Sequence, residues 1–356
     1  MNATDARLTS AQLAALRYVR TTGAAGSEAA LARLGGRDAD ALISLIRAHA
    51  RITLNFHPDR LLADGATVAE SMARDGRYRS QYETGLSNGS RTAVPGGDRD
   101  RWEERFFGGA YHLPGVRAAD RPKYGAVNLY GHPDGASPRF GSCHVRLRPE
   151  VNDRATYSHG DSHAAPGDVG TIDTFSCVLA GLLEERPDAA GAIAGLPSAA
   201  DASGPPGRKL DEYVEAQVHG GIDLASDAEA LVLDPSFRGT ETAHLLTDLA
   251  RRSRIAVEWH GGFALAPEEV NAEFRGPVMV PLAARVCRAY ARTGTLDAEV
   301  LGHAAASIVR RPEDWAEWGT RDEVLQYVKQ LWHVLVRYGR YRRYGQGHGV
   351  ATPRRP

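Results

Sequence analysis

The sequence predicts an α+β fold in which a mixed β core is flanked by helical regions at both ends of the chain. Short runs with alternating apolar residues recur between about residues 51 and 265, whereas apolar residues with helical spacing dominate the segments before and after. A chain of 356 residues can hold one large core with such additions. The predicted regions are an N-terminal helical region at 1–50, an α+β catalytic-like core at 51–265, a C-terminal helical region at 266–345 and a basic tail at 346–356.

The N-terminal region predicts short helices between residues 10 and 50. Ser10 can cap a first helix, because its hydroxyl can accept a hydrogen bond from a free backbone N–H at the helix start, and Ser27 can cap a second. Apolar residues at helical spacing mark a third helix. These markers are Leu42, Leu45, Ile46 and His49.

The β core begins where the apolar period changes to two. Ile52, Leu54 and Phe56 alternate with polar residues until Pro58, as in a half-buried strand. Glycine and turn residues crowd residues 85–141 and predict long shaped loops. A helix is predicted at 171–185, followed by a flexible Ala/Gly/Pro stretch at 187–209. Further strands are predicted at 124–130, 142–147, 154–158, 213–218, 229–233 and 255–260.

Helices return from about residue 278. Near the C-terminus apolar side chains recur at i, i+3 and i+4, which predicts a helix that packs one face against the rest of the protein. That face consists of Val324, Val328, Leu331, Leu335 and Tyr338.

Composition excludes several classes of function. A net charge of −1, with 24% charged residues, gives no general attraction to nucleic acid or to an anionic membrane, so we expect neither partner. The chain has no run of about 18 apolar residues and no basic start before an apolar stretch, so we expect a cytoplasmic protein. Cys143, Cys177 and Cys287 are widely spaced and odd in number, which fits a reducing compartment.

The clearest candidate site is the predicted strand at 213–218 with the residue after it. A period of two puts four polar side chains on one face, whereas Val and Ala occupy the other. A carboxylate, an amide, an imidazole and a phenol in one row suit the hydroxyls of a sugar or nucleotide. A solvated sheet face is the alternative. The polar face consists of Tyr213, Glu215, Gln217 and His219.

Two further segments could hold a ligand. The predicted strand at 51–56 is followed by three polar residues, His57, Asp59 and Arg60. They could bind a polar ligand, or they could simply form a capped turn. Tyr124 enters a strand and is followed by glycine and alanine, which are too small to cover its ring. A planar ligand could stack on this ring, although a tyrosine packed within the protein is the alternative.

A metal site is the other chemical possibility. His159, Asp161 and His163 lie on one glycine-containing loop and could ligate a metal ion. Hydrogen-bonded or exposed histidines are the alternative. Ser142 faces the polar side of its predicted strand but is not the serine of a G-x-S-x-G motif, and no Walker phosphate loop is present.

Several motifs together resemble a bacterial family known only as a domain of unknown function. The resemblance covers about residues 45 to 265 and implies no activity. The motifs are Ile52 to Arg60, Tyr82 to Gly89, Trp102 to Tyr111, Arg121 to Leu129, Pro138 to Cys143 and Glu215 to Gly220.

More distantly, three segments resemble ADP-ribosyltransferase domains of bacterial toxins and phage head proteins. They are Lys123 to Ala126, Arg154 to Ser162 and Glu215 to Gln217. This resemblance implies a split, strongly twisted β core that binds NAD in a cleft. In many of those domains the catalytic Glu follows a Glu or Gln by two residues, whereas here Glu215 precedes Gln217.

The same resemblance implies residue roles. Glu215 would be the catalytic carboxylate, because breaking the ribose–nicotinamide bond develops positive charge on the sugar. Tyr124 would hold the nicotinamide, and His57 or Arg60 would bind ribose or phosphate. The predicted NAD-binding residues are His57, Arg60, Tyr124, Ser142, Tyr213 and Gln217.

The sequence therefore predicts an NAD-dependent ADP-ribosyltransferase or NAD glycohydrolase whose acceptor is a protein, a small molecule or water. Two alternatives stay open. One is a metal-dependent hydrolase that uses His159, Asp161 and His163, and the other is a nucleotide-binding module without catalysis.

Overall fold

A computed structural model describes residues 7–85, 93–198 and 210–341 of the chain. Helices lie before, between and after the strands, so the α+β class with helices at both ends is confirmed. The helices are α1 Ser10–Arg33, α2 Ala39–His49, α3 Val68–Asp75, α4 Gln81–Thr84, α5 Asp98–Phe106, α6 Ser176–Glu185, α7 Ala189–Gly195, α8 Leu224–Asp227, α9 Glu241–Ser253, α10 Met279–Tyr290, α11 Ala298–Arg310 and α12 Arg321–Tyr338.

The strands form one large sheet and one short pair, which is made by β2 and β8. The large sheet has the order β10-β9-β4-β1-β3-β7-β5-β6. The strands are β1 Arg51–Phe56, β2 Arg77–Tyr78, β3 Lys123–Asn128, β4 Cys143–Leu147, β5 Ala155–His159, β6 Val169–Thr171, β7 Val214–Val218, β8 Ile222–Asp223, β9 Ala228–Leu233 and β10 Ala256–Trp259.

The large sheet is mixed. Its neighbouring strands are antiparallel except β9 and β10, which run parallel because α9 connects them as a crossover helix. Strand β7 lies between β3 and β5, so Glu215 has Ala126 on one side and Ser158 on the other. The candidate carboxylate is therefore in the interior of the sheet.

All seven strands predicted between 51 and 265 are present within a residue or two of the predicted bounds. The predicted flexible stretch at 187–209 is wrong in its first part, where α7 forms. Alanine is the strongest helix former, and Ala189 and Ile193 are buried. The rest of that stretch, at 199–209, and the basic tail at 346–356 lie outside the described residues.

The N-terminal helix prediction was wrong in two respects. Residues 10–33 form one continuous helix, capped by Thr9 rather than Ser10, and Ser27 lies inside it. Gly23 does not end the helix but lets it approach the sheet, because a Cβ there would lie 2.7 Å from the Thr174 hydroxyl.

The main apolar core runs from Ala30 on α1 to Val336 on α12, so both terminal helices contribute to the core of the sheet. The first half of α1 packs in a second, smaller cluster with Phe107 and Tyr111. On α12 the predicted face is buried from Val324 to Leu335, whereas Tyr338 at its end is 37% exposed. In the ranges that the structure describes, no helix is both long and apolar enough to cross a membrane.

Candidate functional site

A cavity of about 630 Å³ opens between the end of β1, helix α3, strands β3 and β7, and helices α11 and α12. Four of the predicted site residues line it: Glu215, Tyr124, His57 and Arg60. Asp161, predicted as a metal ligand, also lines it. The fold thus brings together residues that are up to 158 positions apart in the chain, counted from His57 to Glu215.

Glu215 is held in one orientation. Its side chain is almost fully buried, and its Oε1 atom accepts a hydrogen bond from the Ser162 hydroxyl and another, of 2.8 Å, from Gln217 Nε2. Burial and the negative charge of Asp161 raise the pKa of Glu215 to about 7, although the two hydrogen bonds oppose this shift. Neither described bond uses Oε2, which leaves that atom for a ligand.

The polar face of β7 continues behind Glu215 as a buried hydrogen-bond network. The Thr156 hydroxyl donates to Gln217 Oε1 at 2.8 Å and lies 3.2 Å from Nε2 of His219. The other ring nitrogen of His219, Nδ1, lies 2.5 Å from the Tyr111 hydroxyl. Burial lowers the pKa of His219 to about 3, so this ring is neutral. The alternative of a solvated face is wrong, and the network fixes Gln217, which in turn fixes Glu215.

The hydroxyl and the ring of Tyr124 already contact other side chains of the protein. Its hydroxyl donates to Glu103 at 2.7 Å, the Arg99 guanidinium lies 4.6 Å from its ring centroid, and the Trp102 ring meets it edge-on at 5.5 Å. Gly125 serves the sheet rather than the ring, because a Cβ there would lie 2.5 Å from the Thr53 carbonyl oxygen. A planar ligand in the cavity would meet Arg99 as well as Tyr124.

The turn after β1 presents His57 and Arg60 to the cavity. His57 packs edge-on against Trp332 at 5.0 Å, and burial, with the positive charge of Arg60, holds its pKa well below the usual range. Asp59 turns the other way, toward Gly302 on α11, and burial raises its pKa to about 6. The neutral imidazole and the guanidinium are therefore the groups of this turn that a ligand can reach.

Three predicted NAD-binding residues lie outside the cavity lining. Ser142 is buried, and its carbonyl oxygen lies 2.7 Å from His260 Nε2. The Tyr213 hydroxyl donates to Asp161 Oδ2 at 3.3 Å, and Gln217 donates to Glu215. Tyr213 and Gln217 are thus positioned to orient the two carboxylates of the site, whereas Ser142 does not line the cavity.

The loop after β5 separates the residues proposed for a metal. His159 Nε2 pairs with Glu185 at 2.8 Å, whereas the exposed His163 pairs with Asp161 at 3.0 Å. Across the three described ranges, no group of three or more His, Cys, Asp or Glu side chains is arranged to hold a metal ion.

The sequence comparisons identify the family. The family described as "Protein of unknown function (DUF3626)" matches residues 51–338. The chain belongs to this family. The resemblance to a family of unknown function is thereby confirmed, and the match extends beyond the predicted limit of about 265 to the end of α12.

Two curated relatives are phage proteins. The chain is 34% identical to the Gene 2 protein of Mycobacterium phage D29 over 93 residues, which are 26% of this chain and 32% of the relative. It is 28% identical to the Gene 2 protein of Mycobacterium phage L5 over 166 residues, or 44% of this chain and 58% of the relative. The matched parts thus span between a third and three fifths of these relatives.

Sequence reasoning missed most of the basic residues of the cavity. The DUF3626 match includes α12, which contributes Lys329 and Arg321, while Arg99 comes from α5. These residues sit in ordinary amphipathic helices, and no local motif marks them. The basic residues that line the cavity are Arg60, Arg77, Arg79, Arg99, Arg321 and Lys329.

Proposed function

We propose that this protein is an NAD-dependent ADP-ribosyltransferase, or an NAD glycohydrolase where water is the acceptor. One observation carries the proposal: a buried carboxylate, Glu215, is fixed by two hydrogen bonds in the wall of a cavity that is rich in cationic groups. Glu215 lies in the interior of one mixed sheet, and the split, twisted core of such enzymes is part of the proposal.

The chemistry requires a fixed negative charge beside the sugar. The bond between ribose C1′ and the nicotinamide nitrogen breaks, its electron pair stays on nicotinamide, and nicotinamide leaves as a neutral molecule. The positive charge that develops on the ribose is stabilised by Glu215, which accepts a hydrogen bond from the 2′-hydroxyl. A lone pair of the acceptor then forms the new bond to C1′, and the acceptor proton passes to solvent.

The remaining lining residues suit the other parts of NAD. The wall includes apolar side chains, with Leu62, Val68 and Met72 available to a base, and the guanidinium groups suit a diphosphate. A cavity of this size is within the usual range for cofactor sites, about 300–1,000 Å³.

The test is nicotinamide release from NAD by the purified chain. We expect release by the wild-type protein and a large loss in Glu215→Ala. Glu104→Ala is the matched control, because Glu104 is exposed and lies outside the cavity lining. Release at the wild-type rate by Glu215→Ala would eliminate the proposal, and NAD binding without any release would favour the non-catalytic nucleotide-binding module.

The pH dependence gives a second test. Only the ionised carboxylate stabilises the cationic ribose, so release should rise with pH through about 7, the pKa of Glu215. Ser162→Ala removes a hydrogen bond that favours the ionised form, and we expect the midpoint of this rise to move to higher pH. The measurement is the pH–rate profile of both proteins. A midpoint that stays in place, as expected for the exposed control Ser226→Ala, would contradict the assigned role of Ser162.

A further inference from the structure

A cationic cluster lies beside the cavity and is not explained by the chemistry at Glu215. It consists of Arg60, Arg139, Arg275 and Lys329, which come from the turn after β1, the loop before β4, the segment before α10 and helix α12. Arg60 and Lys329 line the cavity. Burial, together with the positive charges of Arg139, Arg275 and Arg60, lowers the pKa of Lys329 to about 8, so each of these three arginines lies close enough to Lys329 to repel it.

The protein compensates the charge of the cluster only in part, through Asp211 at Arg139, Asp59 near Arg60 and Asp161 near Lys329. Among the residues that the structure describes, Arg139 pairs with Asp211, whereas Arg60, Arg275 and Lys329 form no ion pair. The Nε atoms of Arg139 and Arg275 are buried and have no described hydrogen-bond partner. Leaving cationic groups unpaired and partly buried is unfavourable, and this cost would be offset by a bound anion.

The backbone at Arg275 also has an unusual conformation. Its φ is +67°, in the left-handed region that residues other than glycine rarely adopt. Such strained positions concentrate at ligand sites. Arg275 therefore combines a rarely adopted backbone conformation with a positive charge that repels Lys329 and Arg139.

We infer that the cationic cluster is a diphosphate subsite of the cavity. Three unpaired cations match the two or three negative charges of a diphosphate better than the single charge of a carboxylate ligand, and guanidinium groups bind phosphate oxygens in pairs. Arg60, Lys329 and Glu215 line the same cavity, so one ligand can reach the subsite and the carboxylate. With NAD as the source of the diphosphate, the inference rests on the proposed function.

The first experiment measures binding without turnover. Inorganic diphosphate and ADP are titrated into the full-length protein by calorimetry at about 150 mM salt, where weak long-range attraction is screened. We expect both probes to bind the wild-type protein, and Lys329→Gln and Arg275→Gln each to weaken Kd by about tenfold or more. Arg310→Gln removes an equal charge from an exposed position and should leave Kd unchanged.

Thermal melting of the same variants without ligand shows whether weaker binding comes from loss of the subsite or from unfolding of the protein. Each substitution removes one of several repelling cations, so Lys329→Gln and Arg275→Gln should melt at or above the wild-type temperature. If one of these two variants does not fold, the binding measurement on the other variant tests the inference. Equal binding of the probes by wild type and the folded variant, or no binding by wild type, would overturn the inference.

Turnover then identifies the source of the diphosphate. If the subsite takes the diphosphate of NAD, KM for NAD rises in Lys329→Gln while kcat changes little. If KM is unchanged although ADP binding is lost, the subsite stands and serves another diphosphate ligand. Absence of NAD turnover in the wild type, with diphosphate binding intact, would reject the proposed function and leave the subsite in place.

Discussion

Glu215→Gln is expected to lower the rate of nicotinamide release by about 10²- to 10³-fold, the usual effect of removing one group that stabilises transition-state charge. Glutamine keeps the shape of the side chain and can still accept hydrogen bonds from Ser162 and Gln217 through its carbonyl oxygen. It carries no negative charge, so the cationic ribose loses its stabilising partner. The measurement is the initial rate, with Kd for NAD determined in parallel; Kd should change far less than the rate.

The same substitution should stabilise the fold at neutral and higher pH. In the unfolded chain the Glu215 carboxyl ionises near its ordinary pKa of 4.5, whereas in the folded protein its pKa is about 7. Between these values the folded state holds a proton that the unfolded state has lost, so the free energy of unfolding falls as pH rises. Glutamine does not ionise, so the free energy of unfolding of Glu215→Gln does not fall in this way. Above about pH 7 it should exceed that of the wild type by on the order of 3 kcal/mol.

Melting temperatures at about pH 4 and about pH 8 check that result. Glu215→Gln should melt like wild type at the lower pH and above wild type at the higher pH, whereas the exposed Glu104→Gln should follow wild type at both. An inactive variant that is also more stable cannot owe its inactivity to misfolding. A Glu215→Gln protein that kept the wild-type rate would remove Glu215 from the mechanism.

The sequence was most informative where a residue pattern has one structural solution. Alternation in 51–56 and 213–218 predicted β1 and β7, because a period of two is compatible with a strand and not with a helix. It also placed Glu215, Gln217 and His219 on one face. Whether that face is buried depends on Tyr111 and Ser162, which reach it from loops that alternation does not describe.

The cations of the cavity could not be predicted in the same way. Arg99 and Lys329 are separated by most of the chain and line the same cavity only because the fold brings α5 and α12 to it. A basic residue on an amphipathic helix has the same local pattern whether it faces solvent or a ligand. Small residues were equally ambiguous: Gly23 lies inside a continuous helix, although glycine more often ends one.

Gly125→Val tests the interpretation of another small residue and should have the largest effect on stability. Valine favours strands, so local propensity predicts that this change in β3 is neutral or stabilising. Packing predicts the opposite, because the new Cβ would lie 2.5 Å from the Thr53 carbonyl oxygen and 2.6 Å from Leu54 Cδ2. The first of these atoms belongs to the backbone of β1 and cannot rotate away.

We therefore expect Gly125→Val to lower the free energy of unfolding by about 3 kcal/mol or more, and the melting temperature by about 4 °C or more. Gly167→Val is the matched control, since a Cβ at Gly167 meets nothing within 4 Å. Equal melting of the two variants would mean that β1 and β3 can separate at this point without cost. A large difference would establish that the glycine after Tyr124 is required for strands β1 and β3 to approach, and that the sheet supporting Tyr124 and Glu215 depends on that approach.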